Sequence, residues 1–165
     1  MNADAHLNID VLNEAALKRA MGCFATGVTV VTANLDGTDI GMTCNSFNTV
    51  SLEPAMVLWS IRKESGSHQA FIDAGGYTVS ILNADQRDTA MQFTRGSHEE
   101  RFADVPVERL ATNRLKLTEA SAWFDCKLEQ VVSAGDHDIL IGQVLSFACS
   151  ERDPLIYVKG KFSGV

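Results

Sequence analysis

A short polar stretch holds the residues whose types and spacing are best suited to bind a ligand. Residues 41–51 read Gly-Met-Thr-Cys-Asn-Ser-Phe-Asn-Thr-Val-Ser. They lie between two apolar runs of strand length, residues 28–33 and 55–61, which we predict to be buried strands. Hydroxyl, amide and backbone N–H groups between two core strands need hydrogen-bond partners. They bond to one another, as at an ordinary strand end, or to a ligand rich in acceptor atoms.

The sequence excludes several common kinds of catalytic and nucleotide site. Its 12 glycines form neither the G-x-G-x-x-G fingerprint nor the G-x-x-x-x-G-K-[ST] loop. The hydrolase motif G-x-S-x-G and the zinc motif H-E-x-x-H are also absent. The 4 cysteines form no C-x-x-C pair and have no histidine at zinc-ligand spacing. We therefore expect reduced thiols, no metal site, and a sheet with its loops as the only support for a nucleotide-like ligand.

Length and charge limit the class of protein further. The 165 residues fit a single domain, which we place at residues 10–165 after a flexible N-terminus at residues 1–9. A net charge of −7 without a run of Lys and Arg disfavours a nucleic-acid surface. No apolar run approaches the ~20 residues that cross a bilayer, and residues 1–6 lack the features of a signal peptide. We expect a cytoplasmic protein that binds neither nucleic acid nor membrane.

The hydrophobic pattern predicts many strands and few, short helices. The predicted strands are residues 28–35, 39–46, 55–61, 77–82, 120–134, 139–148 and 155–162. The predicted helices are a segment capped by Asp10 that runs to Met21, residues 69–74 after Ser67, and a segment capped at residues 83–85 that runs to Phe93. Residues 94–118 are predicted to be an irregular surface excursion with one or two helical turns. This pattern favours the α+β class, as an antiparallel barrel with helices at its ends.

Several segments, taken in order, resemble the flavin reductase domain of two-component flavin-dependent monooxygenases. The two most specific are G-M-T-x-N-S-F at residues 41–47 and G-D-H at residues 135–137. Other matching segments are A-T-G-V-T-V-V-T at residues 25–32, V-S-L-E-P at residues 50–54, G-Y-T-V-S-I-L at residues 76–82 and W-F-D-C at residues 123–126. The resemblance covers residues 15–162, which is nearly the whole domain.

The resemblance implies an FMN-binding split β-barrel that is mainly antiparallel and forms a homodimer, with the flavin near the subunit interface. It also implies that NADH or NADPH reduces free flavin, either FMN or FAD. Reduced flavin would then leave and serve a separate oxygenase component, with aromatic degradation as the expected setting. The sequence leaves the flavin, the nicotinamide nucleotide and the partner's substrate open.

Flavin chemistry assigns a role to each polar segment within this resemblance. The ring needs donors near oxygens that gain charge on reduction, and the phosphate needs N–H and O–H donors with positive charge. The residues that the resemblance places at the flavin are Met42, Thr43, Cys44, Asn45 and Ser46, with Ser51 on the ribityl or phosphate side, and Lys63, Ser65, Ser67 and His68 in a phosphate loop. His137 matches the family histidine on the nicotinamide side. We assign it positioning first, because hydride transfer needs no protein base but needs reacting atoms about 3–3.5 Å apart.

Other interpretations of these residues stay open at this point. Without the resemblance, residues 43–46 are an ordinary strand end, residues 62–64 a solvated connection and His137 an exposed turn histidine. The family commonly has Ser or Thr where His68 stands, which leaves the phosphate contacts and the choice between FMN and FAD undecided. One alternative is a non-catalytic flavin or haem binder on the same barrel. Another is an oxidase of the pyridoxamine-phosphate type, which would need a second basic cluster that the sequence lacks.

Overall fold

The computed structural model describes residues 13–164, which form 12 strands and 4 short helices. In chain order these are α1 (Glu14–Met21), β1 (Thr26–Gly27), β2 (Thr29–Leu35), β3 (Thr38–Cys44), β4 (Asn48–Leu52), β5 (Ala55–Arg62), α2 (His68–Asp73), β6 (Gly76–Ile81), α3 (Arg87–Gln92), α4 (His98–Phe102), β7 (Val107–Arg109), β8 (Leu115–Leu117), β9 (Ala122–Ala134), β10 (His137–Cys149), β11 (Ile156–Val158) and β12 (Lys161–Ser163). None of the described helices is long and apolar enough to cross a membrane.

A seven-stranded antiparallel sheet organises the domain, with the strand order β3-β2-β6-β9-β10-β5-β4. Strands β1, β11 and β12 form a second sheet, and β7 and β8 form a third. Over residues 13–164, no pairing joins β3 to β4, so the large sheet has two edges and is not a barrel closed by hydrogen bonds. The β9–β10 pair bends at two register shifts, as β-bulges allow. The mainly antiparallel fold class is therefore confirmed.

Two hydrophobic clusters hold this sheet in place. The first centres on Trp59, whose ring lies edge-on to Phe71 and Tyr77 at centroid distances of 4.9 and 5.8 Å. The second contains Phe93, which packs edge-on against Phe102 at 5.0 Å. Edge-to-face aromatic pairs of this kind add to the stabilisation from burial alone. The first cluster supports the strands β2, β5, β6 and β10, and the second lies under the helices α3 and α4.

The hairpin predicted at residues 28–46 is confirmed. Its strands are β2 and β3, which pair from Thr29–Cys44 to Leu35–Thr38. Asp36 and Gly37 form the turn with φ values of 50° and 85°. Two consecutive positive φ values match the twist of the flanking strands, which explains why an Asp-Gly pair stands there.

Three parts of the predicted pattern are wrong in detail. The final strand predicted at residues 155–162 is a tight hairpin of β11 and β12, turned at Lys159 and Gly160 with φ values of 49° and 77°. Strand β4 was not predicted, because residues 48–52 are polar or exposed and show no buried face. His137 does not lie within the turn but is the first residue of β10.

The first helix differs from the prediction in its start. It begins after Asn13, whose side-chain oxygen accepts a hydrogen bond from the N–H of Ala16. The predicted cap at Asp10 lies outside the described residues. The segment predicted to be irregular, residues 94–118, contains α4 and the β7–β8 pair. The predicted helical turn is therefore confirmed, whereas the pairing of β7 with β8 was not predicted.

Candidate functional site

The polar stretch forms one wall of a cleft of about 460 Å³ at the edge of the large sheet. The residues lining this cleft are Met42, Thr43, Cys44, Asn45, Ser46, Ser60, Ile61, Arg62, Glu64, Ser65 and His137. Seven of the residues expected at a flavin therefore meet here, although His137 is 86 positions beyond the end of the polar stretch at Ser51. Four others, Ser51, Lys63, Ser67 and His68, are described but lie outside this lining.

Gly41, at the start of the polar stretch, is hydrogen-bonded by side chains of helix α4, which lies outside the sheet. It belongs to the edge strand β3, so its outward backbone groups have no neighbouring strand. Its N–H donates to Nδ1 of His98 at 3.3 Å, and its carbonyl accepts from Nη1 of Arg101 at 2.7 Å. A Cβ at this position would lie 2.7 Å from Phe93 and 3.0 Å from Phe102. Only glycine lets helix α4 approach the strand so closely.

Thr43 and Cys44 are likewise committed to the protein itself. The Thr43 hydroxyl donates to the carbonyl of Ala90 at 2.6 Å, and its N–H donates to the carbonyl of Phe93 at 3.3 Å. The carbonyl of Cys44 accepts from the Thr29 hydroxyl at 2.9 Å. Burial raises the pKa of the Cys44 thiol, which keeps it protonated near neutral pH. Cys44 is therefore a packing residue and not a nucleophile.

Asn45 and Ser46 offer different groups to the cleft. The Ser46 hydroxyl donates to the carbonyl of Ser60 at 3.1 Å and accepts from the N–H of Ser60 at 2.9 Å. It thereby ties the end of the polar stretch to β5 and has little capacity left for a ligand. Asn45 is exposed, and its amide carries two donors and an acceptor. Asn45 is thus the side chain of this wall best placed to bind a ligand.

The opposite wall is built where β5 and β10 lie side by side. His137 pairs with Arg62 in the strand register, and the N–H of Lys63 donates to the carbonyl of Asp136 at 3.0 Å. Nδ1 of His137 lies 2.8 Å from a carboxylate oxygen of Asp136. In this bond Nδ1–H donates to the carboxylate, so Nε2 of the neutral imidazole is left as an acceptor. The hydrogen bond from His137 also holds the pKa of Asp136 below its usual value.

Two of the expected phosphate-binding residues hold the loop itself. Nζ of Lys63 donates to the Ser133 hydroxyl at 2.7 Å and to the carbonyl of Gly135 at 2.8 Å. Nε2 of His68 lies 2.8 Å from a carboxylate oxygen of Asp138, in a largely buried pair. These contacts fasten the loop to the end of β9, to the turn before β10 and to the start of β10. The histidine that stands where the family has a hydroxyl residue is therefore engaged with a carboxylate on the neighbouring strand.

A second cavity, of about 430 Å³, lies against the same bend. It shares Thr43, Cys44 and Asn45 with the cleft, and its other lining residues are Val28, Met91, Thr94, Tyr157, Gly160 and Phe162. Most of these are apolar or aromatic. Residues 43–45 therefore separate a polar cleft from an apolar slot, an arrangement that suits a ligand with a flat ring and polar edges.

Comparison with known proteins shows the family. The family described as "Flavin reductase like domain" matches residues 21–165. The FMN reductase (NADH) SmoA of Agrobacterium fabrum is 40% identical over 150 residues, which are 91% of this chain and 85% of that protein. The chain belongs to the flavin reductase like domain family.

Two further relatives agree with this assignment. The reductase component of the flavin-dependent trigonelline monooxygenase of Acinetobacter baylyi is 42% identical over 156 residues, or 93% of this chain. The chain spans only 50% of the length of that relative. The NADH:FAD oxidoreductase SgcE6 of Streptomyces globisporus, solved with NAD and FAD fragments, superposes with a TM-score of 0.88 at 31% identity and covers 93% of each chain. The resemblance drawn from the sequence and the split-barrel fold are both confirmed.

Proposed function

We propose that this protein is an NAD(P)H:flavin oxidoreductase that reduces free FMN or FAD for a separate monooxygenase component. The observation that carries the proposal is the single cleft in which residues 42–46, Ser65 and His137 meet. The cleft volume of about 460 Å³ is of the size that binds small molecules. The relatives are named as reductases of FMN or FAD with NADH and as reductase components of monooxygenases, which supports the same activity.

The residues of the cleft suit the parts of a flavin in a consistent way. Asn45 would donate from its side-chain amide and its backbone N–H to the polar edge of the ring, where reduction places negative charge. Ser65 and Arg62 would meet the phosphate, with a hydroxyl and a positive charge. Ser51, Lys63, Ser67 and His68 remain proposed members of the flavin site, the last three through the loop whose shape they fix.

His137 is proposed to position the nicotinamide donor. Bound flavin would supply the acceptor for a hydride from the dihydronicotinamide, and the protein's contribution would be to hold the two rings at the right distance and alignment. The imidazole borders the cleft, its side chain is about one-third exposed, and Nε2 is left as an acceptor by the bond to Asp136. A hydrogen bond from the carboxamide of the nicotinamide to Nε2 would fix the donor ring without any transfer of a proton to the protein.

A homodimer is proposed from large apolar side chains that are exposed in the single chain. Leu52 on the edge strand β4 is 92% exposed, and Phe147 on β10 is 67% exposed. Phe147 continues a ring stack with Phe124 and Phe47, at centroid distances of 6.2 and 5.7 Å. An edge strand with exposed apolar side chains is prone to associate with another chain unless it is covered. We propose that a second copy of this chain covers these side chains, and the family resemblance supports the same arrangement.

Several finer assignments remain proposals. NADH is the favoured reductant, because the named relatives use it. FMN and FAD are both kept, since one relative is named for each. A cytoplasmic location and a role in aromatic degradation are carried forward from the sequence as predictions.

The test is a steady-state assay of nicotinamide oxidation with each of the four pairs of flavin and nucleotide. We expect oxidation that depends on added flavin, with a lower KM for NADH than for NADPH. A tightly held chromophore that neither nucleotide bleaches would instead identify a non-catalytic binder. No oxidation with any pair would refute the proposed activity.

A further inference from the structure

His98 joins the start of the polar stretch to the phosphate loop, although it does not line the cleft. Its Nδ1 accepts from the N–H of Gly41 at 3.3 Å, and its Nε2 lies 3.1 Å from the hydroxyl of Ser67. The first bond requires Nδ1 to be unprotonated, so Nε2 carries the proton and donates to Ser67. The imidazole is therefore held as one neutral tautomer between strand β3 and the phosphate loop.

The Ser67 contact continues into the cleft. Ser67 is 7% exposed, and its N–H donates to the hydroxyl of Ser65 at 3.3 Å. Ser65 itself lines the cleft beside Arg62 and Glu64. Three hydrogen bonds thus run in series from the backbone of Gly41 through His98 and Ser67 to Ser65. This series connects the backbone of the polar stretch to a residue that lines the cleft.

Helix α4 is built to present His98 at this point. Ser97 and Glu100 form a capping box. The N–H of Glu100 donates to the Ser97 hydroxyl at 3.2 Å, and the N–H of Ser97 donates to the Glu100 carboxylate at 2.6 Å. Arg101, one turn further on, donates to the carbonyl of the same Gly41 and to that of Arg95. The helix is thereby fixed at both ends, so His98 is held as a rigid spacer.

We propose that His98 is a positioning residue for flavin binding, which sets the distance between the polar stretch and the phosphate loop. The proposal rests on the proposed function, because it takes the cleft as the flavin site. Its chemistry is specific to imidazole, since one rigid ring accepts on one side and donates on the other. Loss of the ring would leave both segments folded, with their separation no longer matched to the flavin.

The primary test is equilibrium binding of FMN to the full chain, followed by quenching of flavin fluorescence. His98→Ala removes two hydrogen bonds, and we expect the Kd and KM for FMN to rise about tenfold. The kcat at saturating flavin and NADH should stay close to that of the wild type, because the reacting groups are untouched. Glu99→Ala is the matched control, since Glu99 is exposed on the same helix.

Three further variants separate positioning from folding. His98→Asn keeps an acceptor near Nδ1 and should recover part of the affinity for FMN. Ser67→Ala removes the second bond alone and should have a smaller effect than His98→Ala. The double variant Ser67→Ala with His98→Ala should bind FMN no more weakly than His98→Ala, because both substitutions break the same series of bonds.

Two outcomes would overturn the proposal. The first is an unchanged Kd for FMN in His98→Ala while the wild type binds flavin, which would leave the proposed activity intact. The second is a lower melting temperature and a smaller fraction of active enzyme in His98→Ala, with the Kd for FMN unchanged. His98 would then stabilise the fold without positioning the flavin. A wild type that binds no flavin would refute the proposed activity as well, so the two failures are distinguishable.

Discussion

His137 lies directly opposite Arg62 in the antiparallel pair of β10 with β5, where both strands reach the cleft. The pairing places an imidazole and a guanidinium at one end of the site, across from the polar stretch. The bond of 3.0 Å from the N–H of Lys63 to the carbonyl of Asp136 extends the pairing into the two loops. The phosphate loop and the histidine therefore form one rigid unit.

Removal of the imidazole should impair the use of NADH. We expect His137→Ala to lower kcat/KM for NADH by about tenfold to a hundredfold, because misplacement of about 1 Å has effects of that size. The Kd for FMN should change little. Asp136→Asn is the control, since it keeps the imidazole and only weakens its partner, and its effect should be smaller. Unchanged NADH kinetics in His137→Ala would remove His137 from the site.

Asn45 should affect flavin binding without affecting stability. Its side chain is exposed, so Asn45→Ala should leave the melting temperature unchanged. Loss of its hydrogen bonds to the ring should raise the Kd for FMN about threefold to tenfold. Asn48→Ala is the matched control, because Asn48 is also exposed but its oxygen accepts from the adjacent N–H of Thr49 at 2.8 Å. Equal effects of the two substitutions would contradict a direct contact by Asn45.

Gly41→Ala should destabilise the fold through a steric clash. The added Cβ would meet Phe93 at 2.7 Å and Phe102 at 3.0 Å, so the Phe93 ring after α3 and the Phe102 ring of α4 must both move. We expect a loss of about 1–3 kcal/mol in the free energy of unfolding, measured in urea. Gly27→Ala is the control, since a Cβ there meets nothing within 4 Å. A stability equal to that of the control would show that α4 does not pack as described.

A charge among the exposed apolar side chains should disrupt the proposed dimer. Leu52→Lys places an ammonium where 92% of the side chain is exposed in the single chain and buried in the proposed interface. Sedimentation velocity should then show monomers in place of dimers. Thr38→Lys adds the same charge on β3, at the opposite edge of the sheet, and should leave dimers intact. A wild type that sediments as a monomer would refute the proposed homodimer.

Acidification should weaken flavin binding through His98. Burial lowers the pKa of His98, and the Arg101 cation on the same helix acts in the same direction. Its hydrogen-bond partners, Gly41 on β3 and Ser67 just before α2, are uncharged. The neutral ring is thus present at neutral pH and is lost as the pH falls through this lowered pKa.

Protonation puts a hydrogen on Nδ1 that faces the N–H of Gly41, so the bond of 3.3 Å breaks. The Kd for FMN should therefore rise more steeply with acid in the wild type than in His98→Asn. The flavin phosphate titrates in both proteins, so the difference between the two profiles isolates the histidine. Parallel profiles would contradict this role of the imidazole.

Much of the fold follows from local sequence signals. The Asp36-Gly37 pair carries the information for the β2–β3 hairpin, because few other pairs accept two positive φ values. Strand β4 carries no such signal, since its stability comes from pairing with β5 and not from a buried face. The hairpin at Lys159 and Gly160 was missed because its strands of 3 residues are too short for a periodic pattern.

The site was predictable as a set of segments but not as a set of contacts. The G-M-T-x-N-S-F and G-D-H segments indicated the two walls, and both line the cleft. The partners of the loop residues were not predictable, because Ser67 bonds to a residue 31 positions away and His68 to one 70 positions away. The Ser97-x-x-Glu100 pattern could have indicated helix α4, although not the strand on which it packs.

The electron density of a crystal soaked with FMN would locate the flavin directly. We expect the isoalloxazine ring to lie against residues 43–46, with the phosphate near Ser65 and one face of the ring open toward His137. Density for the ring at another surface, with the cleft filled by the protein's own side chains, would contradict this placement.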